Sequence, residues 1–173
     1  MRKILYPAAA VLLAACAGTE ATRYFTLPDS QYIRPAGSRS ETAVRVYLAE
    51  PLGKGGLVYQ TDALHVNFAR NHLWAGTLDN ALAASFSNKL NRLGSRDIFV
   101  PAARSQSSRV LKIYVEAFQG SYRGETKVSG YAQLPNGQTR PFDIATPQKG
   151  DGYAAMVESL DQGVEKAAAA VVY

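Results

Sequence analysis

Residues 55–93 read GGLVYQTDALHVNFARNHLWAGTLDNALAASFSNKLNRL, and the local signals in this stretch agree with one another. A short apolar run at residues 57–59 is followed by a polar break at residues 60–62. Over residues 64–68, apolar and polar side chains then alternate with the period of a half-buried strand. The pattern predicts two strands joined by a tight connection, and it turns these apolar side chains of the second strand inwards: Leu64, Val66 and Phe68.

The second half of the stretch carries a helical pattern. Five large apolar side chains recur at spacings of four and three: Leu78, Leu82, Phe86, Leu90 and Leu93. Thr77 is well placed as an N-cap, Asp79 suits the positive end of the helix dipole, and Gly94 supplies a stop. Burial of the five side chains contributes roughly 10 kcal/mol gross at about 1.5–3 kcal/mol each. We therefore predict a core helix over residues 78–93.

The joint between this strand and this helix contains Trp74, the only tryptophan in the chain. A tryptophan at such a joint serves either as a packing plug or as part of a contact surface. Its bulk is sufficient to fix the start of the helix without a partner. The sequence therefore leaves both interpretations open.

The rest of the chain is mostly strand-like. Strands are predicted near residues 23–27, 44–48, 97–100, 109–119, 128–134 and 139–146, with a loop over residues 28–42. Asn136-Gly137 is a strong hairpin signal, and Pro141 favours a sheet edge for the strand that follows. Asp151 can cap a final, alanine-rich helix. We predict one α+β domain over residues 23–173, with two helices packed on one face of a mostly antiparallel sheet.

The longest predicted strand alternates regularly. One side carries Leu111, Ile113, Val115 and Ala117, and the other carries Lys112, Tyr114, Glu116 and Phe118. Such half-polar alternation is typical of a sheet that is covered on one side only.

The N-terminus has the pattern of a lipoprotein leader. Arg2 and Lys3 precede an apolar segment, residues 4–12, that is too short to cross a membrane. Residues 13–16, Leu-Ala-Ala-Cys, resemble the lipobox of bacterial lipoproteins. We predict a signal peptide over residues 1–15, lipidation of Cys16 and a tether over residues 16–22. Six residues separate Cys16 from the first strand and reach about 20 Å, which holds the domain close to the membrane.

Charge and residue usage exclude several functional classes. The formal charge of +5 falls to +3, with 17 basic against 14 acidic residues, once the two basic leader residues are removed. These basic residues are scattered, so nucleic-acid binding is not expected. The single cysteine excludes an intramolecular disulfide, and His65 and His72 lack the close pairing of a metal site. With no nucleophile motif either, we expect no enzyme activity, metal or cofactor.

Several short motifs follow one another along the chain, at residues 56–61, 71–75, 118–124, 129–130, 140–142 and 152–157. Their order and spacing resemble the PqiC family of outer-membrane lipoproteins. The resemblance implies an outer-membrane lipoprotein, facing the periplasm, that supports envelope integrity beside an MCE-domain protein of the paraquat-inducible type in intermembrane lipid transport. Ala17 fits this location, since the inner-membrane retention rule asks for aspartate there. An alternative is a structural or assembly-factor lipoprotein of the outer membrane that is unrelated to lipid transport.

The same segment supplies candidate partner-binding residues: Tyr59, Gln60, Asn71 and Trp74. We expect them to cluster at strand ends and at a helix start, where aromatic side chains can anchor a partner. A tubular partner of identical subunits would be met most naturally by a ring, so a homo-oligomer is expected as well. The ten tyrosines of the chain suit an interface, but strands also favour tyrosine, and both explanations remain open.

Overall fold

A computed structural model of the chain describes residues 20–172. The predicted signal peptide, Cys16 and the first part of the tether lie outside the described residues, as does Tyr173. Within the described part, eight strands and two α-helices follow one another along the chain. In order they are β1 Arg23–Phe25, β2 Glu41–Leu48, β3 Gly56–Gln60, β4 Val66–Trp74, α1 Leu78–Arg92, β5 Ile98–Pro101, β6 Val110–Gly120, β7 Glu125–Gln133, β8 Thr139–Pro147 and α2 Gly152–Val172.

The eight strands form one sheet around β6. Along one edge, β6 pairs with β7, which pairs in turn with β8. Gly120, at the end of β6, pairs with both Thr126 of β7 and Tyr59 of β3. The other edge of β6, on the side away from β7, is therefore shared by two strands. β2 pairs with the first half of β6, and β3 pairs with the end of β6. Beyond β2 lies β5, and beyond β3 lie β4 and β1.

The predicted α+β class is confirmed, and the sheet is mixed. The pairings of β1 with β4, β2 with β5, β2 with β6 and β3 with β6 are parallel. The two longest ladders, from β6 through β7 to β8, are antiparallel. Asn136-Gly137 forms the turn between β7 and β8 as predicted, and β8, with Pro141, lies at an edge.

Both helices contribute to one core with the sheet. α1 packs on β2 and β5, α2 packs on β7 and β8, and the two helices touch each other. Leu82, Phe86 and Leu90 are completely buried, which confirms the predicted stripe of α1. At Gly163 the second helix lies so close to the sheet that an added Cβ would meet a Val128 methyl group at 2.6 Å.

The ends of α1 lie close to the predicted positions, but the predicted N-cap contact is not made. Thr77 occupies the N-cap position without a side-chain cap hydrogen bond. Its hydroxyl instead accepts a hydrogen bond of 2.7 Å from the side-chain amide of Asn80. Gly94 follows the helix with φ +80°, a conformation that glycine adopts without strain.

The predicted inward face of β4 is wrong. Val66 and Phe68 are 40% and 38% exposed, whereas Ala69 is buried. Gly56 pairs with Leu73 and Val58 with Phe68, so β4 contains extra residues opposite a two-residue step of β3. Val66 and Phe68 do share a face, as the alternation predicts, but that face is the exposed one. The extra residues lie between Phe68 and Leu73 and bring Trp74 to the buried side.

A second irregularity lies in β6. Leu111, Ile113 and Val115 are buried as predicted. A bulge between Val115 and Ala117 then shifts the register against β7 and brings Phe118, which we expected on the other face, into the core. A bulge adds one residue to a strand and so reverses the sides that follow it.

The side of α1 away from the sheet is also covered. Lys89 is only 3% exposed, and its ammonium lies 2.9 Å from carboxylate oxygens of both Asp29 and Asp161. The guanidinium of Arg92 donates to Asp29 as well. We call these four residues the ion-pair cluster; it fastens the segment after β1 to both helices.

Asn88 strengthens this attachment through the backbone. Its side-chain amide donates to the carbonyl oxygens of Asp29 and Gln31, at 3.0 and 2.8 Å, and accepts from the N–H of Ile33 at 3.0 Å. The first part of the predicted loop over residues 28–42 therefore packs against α1.

Candidate functional site

Four aromatic side chains from four elements meet beside the start of α2. The rings of His72 and Tyr153 stack with centroids 4.0 Å apart. Phe25 lies 5.8 Å from His72 and 6.4 Å from Tyr153, and Tyr59 meets Tyr153 edge-on at 6.1 Å. We call these residues the aromatic cluster. It joins β1, β3, β4 and α2 near the point where the described chain begins.

Strand register positions this cluster. β1 runs parallel to β4 with Arg23 opposite His72 and Phe25 opposite Trp74. Tyr59 lies opposite Gly120, where an added Cβ would come within 2.5 Å of the Met156 sulfur. Glycine at position 120 therefore allows α2 to approach β3 and β6 closely.

The cluster shifts the ionisation of one of its members. Burial raises the pKa of Tyr153, and the neighbouring Tyr59 and the carboxylate of Glu20 raise it further. Tyr153 is thus a neutral hydroxyl near pH 7, suited to hydrogen bonding and packing rather than to acid–base chemistry.

A small cavity of about 180 Å³ lies beside the cluster. Its lining includes Tyr59, Gln60, Ser121, Gln148 and Tyr153. Pockets for drug-sized ligands have volumes of about 300–1,000 Å³. The cavity is smaller than that, and its size suits a single side chain of a protein partner.

The four candidate partner-binding residues do not cluster as expected. Gln60 pairs with Val66 beside the turn of the β3–β4 hairpin, whereas the N–H of Trp74 donates to Gly55 at the other end of the hairpin. Tyr59, Gln60 and Asn71 are half-buried, so each retains an accessible part.

Trp74 belongs to the core. It is 7% exposed, and its ring centroid lies 5.9 Å from that of Phe118. The structure thus favours the packing interpretation of this residue. Its remaining accessible edge lines a cleft of about 630 Å³ between Phe25, the start of α1 and Arg104.

Three tyrosines stack across the face of the sheet opposite the helices. The ring centroids of Tyr47 and Tyr114 are 4.9 Å apart, and those of Tyr114 and Tyr131 are 4.7 Å apart. They come from β2, β6 and β7, where they occupy opposing register positions. The sequence alternation placed Tyr114 on the uncovered side but could not align it with Tyr47 and Tyr131.

The two histidines have different surroundings. His65 lies in the hairpin turn with its Nδ1 atom 2.7 Å from a carboxylate oxygen of Asp62, while His72 is part of the aromatic cluster. Among residues 20–172, the structure contains no group of three or more His, Cys, Asp or Glu side chains that could hold a metal ion. Over the same residues, no helix is both long and apolar enough to cross a membrane.

Comparison with known proteins gives a consistent picture. The family described as ABC-type transport auxiliary lipoprotein component matches residues 25–172. Two relatives named intermembrane transport lipoprotein PqiC, from Escherichia coli strain K12 and Shigella flexneri, are each 34% identical over 172 residues, covering 92% of this chain and 90% of the relative.

Solved structures share the fold. A crystal structure of an uncharacterized protein superimposes with a TM-score of 0.68 at 29% identity, covering 87% of this chain and 95% of the other. A protein from Xanthomonas campestris gives a TM-score of 0.62 at 16% identity, covering 86% and 87% of the two chains. The second likeness shows the fold alone.

Proposed function

The chain belongs to the ABC-type transport auxiliary lipoprotein family that includes PqiC, and from this premise we propose that it serves intermembrane lipid transport without chemistry of its own. The observation that carries the proposal is the match to named transport lipoproteins over nearly the whole chain. This match also favours transport over the alternative of an unrelated assembly factor.

We further propose that Cys16 carries the acyl anchor, in the outer membrane and on its periplasmic face. The lipobox-like residues 13–16 and the family membership support this assignment. Several acyl chains at about 0.8 kcal/mol per buried methylene make membrane attachment effectively permanent. A fixed position is what an accessory subunit needs if it is to receive a partner that spans the periplasm.

The proposed partner is an MCE-domain protein of the paraquat-inducible type. Because Trp74 is buried, the candidate residues that remain accessible to this partner are Tyr59, Gln60 and Asn71. The cavity beside Tyr59 and Gln60 offers a place for one side chain of the partner. Half-buried aromatic residues next to a cavity are typical anchors of protein interfaces. A ring of copies on the end of a tubular partner completes the proposal, and with it a role in envelope integrity.

Anchorage is tested by fatty-acid labelling and membrane fractionation of wild-type protein and Cys16→Ala. We expect labelled wild-type protein in the outer-membrane fraction and an unlabelled variant. Unlabelled wild-type protein in the soluble periplasm would contradict the anchor.

Docking is tested with Gln60→Arg, which places a long charged side chain at the rim of the cavity. The matched control is Gln138→Arg, an exposed glutamine at the β7–β8 turn. We expect the first variant to lose co-isolation with the MCE-domain protein and the second to retain it. Equal binding by both, with unchanged melting temperatures, would remove the cavity from the interface. Trp74→Ala is unsuited to this test, because loss of a buried tryptophan costs about 3–5 kcal/mol in stability.

A further inference from the structure

Three connections lie together at one end of the sheet. They are the β3–β4 turn at residues 61–65, the β6–β7 turn at residues 121–124 and the link from β8 to α2 at residues 148–151. Tyr59 pairs with Gly120 just before the first two turns, and the N–H of Gln148 donates to the carbonyl of Gly124 at 2.9 Å. We call this region the hairpin end. The β7–β8 turn lies at the opposite end, because β7 runs antiparallel to β6.

The chain arrives from the same direction. β4 leads away from its turn, and β1 runs parallel to it, so the residues before Arg23 lie towards the hairpin end. The position of Glu20 agrees with this direction, because its carboxylate is near enough to Tyr153, at the start of α2, to raise the pKa of that tyrosine.

The tether is long enough to reach the level of the β3–β4 turn. Between Leu73, which lies opposite Gly56, and Val66, which lies opposite Gln60, β4 advances by only four residues of β3, or about 13 Å at ~3.3 Å per strand residue. Cys16 precedes Arg23, which lies level with His72, by seven residues, or at most about 24 Å. A membrane that holds Cys16 therefore lies no more than about 15 Å beyond Val66, a range that includes the β3–β4 turn.

The tip of this turn presents an apolar side chain. Leu64 is 88% exposed, the highest value among the large hydrophobic residues of the described chain. The turn is ordered by Asp62, whose carboxylate accepts hydrogen bonds from the N–H groups of Leu64 and His65 at 2.8 and 2.9 Å. Val66 and Phe68, at 40% and 38% exposed, continue the apolar surface along β4.

The neighbouring turn adds side chains suited to lipid headgroups. Tyr122 is 46% exposed, and the guanidinium of Arg123 lies 5.4 Å from the centre of its ring. Tyrosine and arginine are favoured where an apolar interior meets a charged headgroup layer, because each combines an apolar body with a polar tip.

We propose that the tips of the β3–β4 and β6–β7 turns form a membrane-contact surface, with Leu64 entering the headgroup region of the bilayer and Tyr122 and Arg123 lying against its phosphates. The cavity lined by Gln60, Gln148 and Tyr153 lies outside this surface and stays open to the protein partner. This inference rests on the proposed anchorage at Cys16. It gives the domain a fixed orientation, in which the β7–β8 turn points away from the membrane and the cavity beside Tyr59 stays near it.

The test uses the acylated full chain, reconstituted into vesicles of phosphatidylethanolamine and phosphatidylglycerol. A nitroxide label is attached at Leu64→Cys, and a matched label at Gln138→Cys marks the opposite end. Both positions are exposed, so neither substitution disturbs the core. On reconstitution we expect collisions of the label at position 64 with a water-soluble nickel chelate to fall several-fold, and those at position 138 to stay unchanged.

The outcomes separate this inference from its premise. If the chain is not acylated and does not remain on the vesicles, the anchorage fails and the membrane-contact surface falls with it. If the acylated chain remains on the vesicles but the label at position 64 stays as accessible to nickel as the label at position 138, only the membrane-contact surface is refuted.

Discussion

Leu82 and Leu64 show how differently the helical layer and the hairpin end use the same residue type. Leu82 lies in the core beneath α1 and is completely buried, whereas Leu64 lies at the tip of the β3–β4 turn and is 88% exposed. Burial of one leucine contributes about 1.5–3 kcal/mol to folding, and an exposed leucine contributes little. The helical layer thus supplies stability, and the hairpin end offers apolar surface for contacts outside the chain. Local apolar patterning therefore marks a surface that is to be covered, without saying what covers it.

The largest expected effect is in the helical layer. Leu82→Ala or Phe86→Ala leaves a cavity between α1 and the sheet and should lower the free energy of unfolding by about 2–5 kcal/mol. Denaturant unfolding of the purified protein measures this change. A loss below about 0.5 kcal/mol, as is usual for surface substitutions, would contradict the assigned core.

A smaller loss is expected on the other side of α1. Lys89→Met removes the buried ammonium and leaves the carboxylates of Asp29 and Asp161 without it. Because these carboxylates keep partial access to water, we expect a cost of about 1–3 kcal/mol. Hydrogen exchange of the segment after β1 should rise together with this loss. Unchanged protection there would show that the ion-pair cluster does not hold the segment.

The same cluster predicts a pH dependence. The hydrogen bond from Arg92 lowers the pKa of Asp29, with further lowering by Lys89, and these interactions outweigh the opposing effect of burial. A lowered carboxyl pKa contributes stability that is present above the ordinary value of about 4 and is lost as the pH falls below it. Asp29→Asn should therefore be less stable than wild type at neutral pH, and the difference should shrink below about pH 4. A difference that stays constant with pH would contradict this account.

The smallest effects are expected at the hairpin end. Leu64→Ala should change the free energy of unfolding by less than about 0.5 kcal/mol, because surface substitutions away from special features rarely do more. Asn67→Ala removes only an exposed hydrogen bond to Thr61 and should cost little as well. Thermal unfolding, with Leu82→Ala measured in parallel, completes the comparison. A large loss at Leu64 would mean that the tip is part of the folded core.

Short-range signals predicted much of the fold. The stripe of α1, the Asn136-Gly137 turn and the edge position of β8 depend on residues near one another in sequence, and all three are present. The ion pair between Lys89 and Asp161 joins residues 72 positions apart, so no local spacing could reveal it.

Other features depend on irregularities that the sequence does not mark. The bulge in β6 carries Phe118 into the core, and extra residues in β4 separate the exposed Phe68 from the buried Trp74. The bulge reverses an alternation that looks regular over residues 111–118. The alternation over residues 64–68 is kept, but it does not say which of its two faces is the inner one. For the candidate partner surface, the sequence supplied Tyr59 and Gln60 but could not pair them with Tyr153, which comes from α2.

The most direct test of the account is a mild-detergent pull-down of the acylated wild-type chain from envelopes, followed by mass-spectrometric identification of what remains bound. We predict an MCE-domain protein of the paraquat-inducible type as the main partner, and its loss in Gln60→Arg but not in Gln138→Arg. Recovery of outer-membrane assembly components with no MCE-domain protein would contradict the proposed role in intermembrane lipid transport.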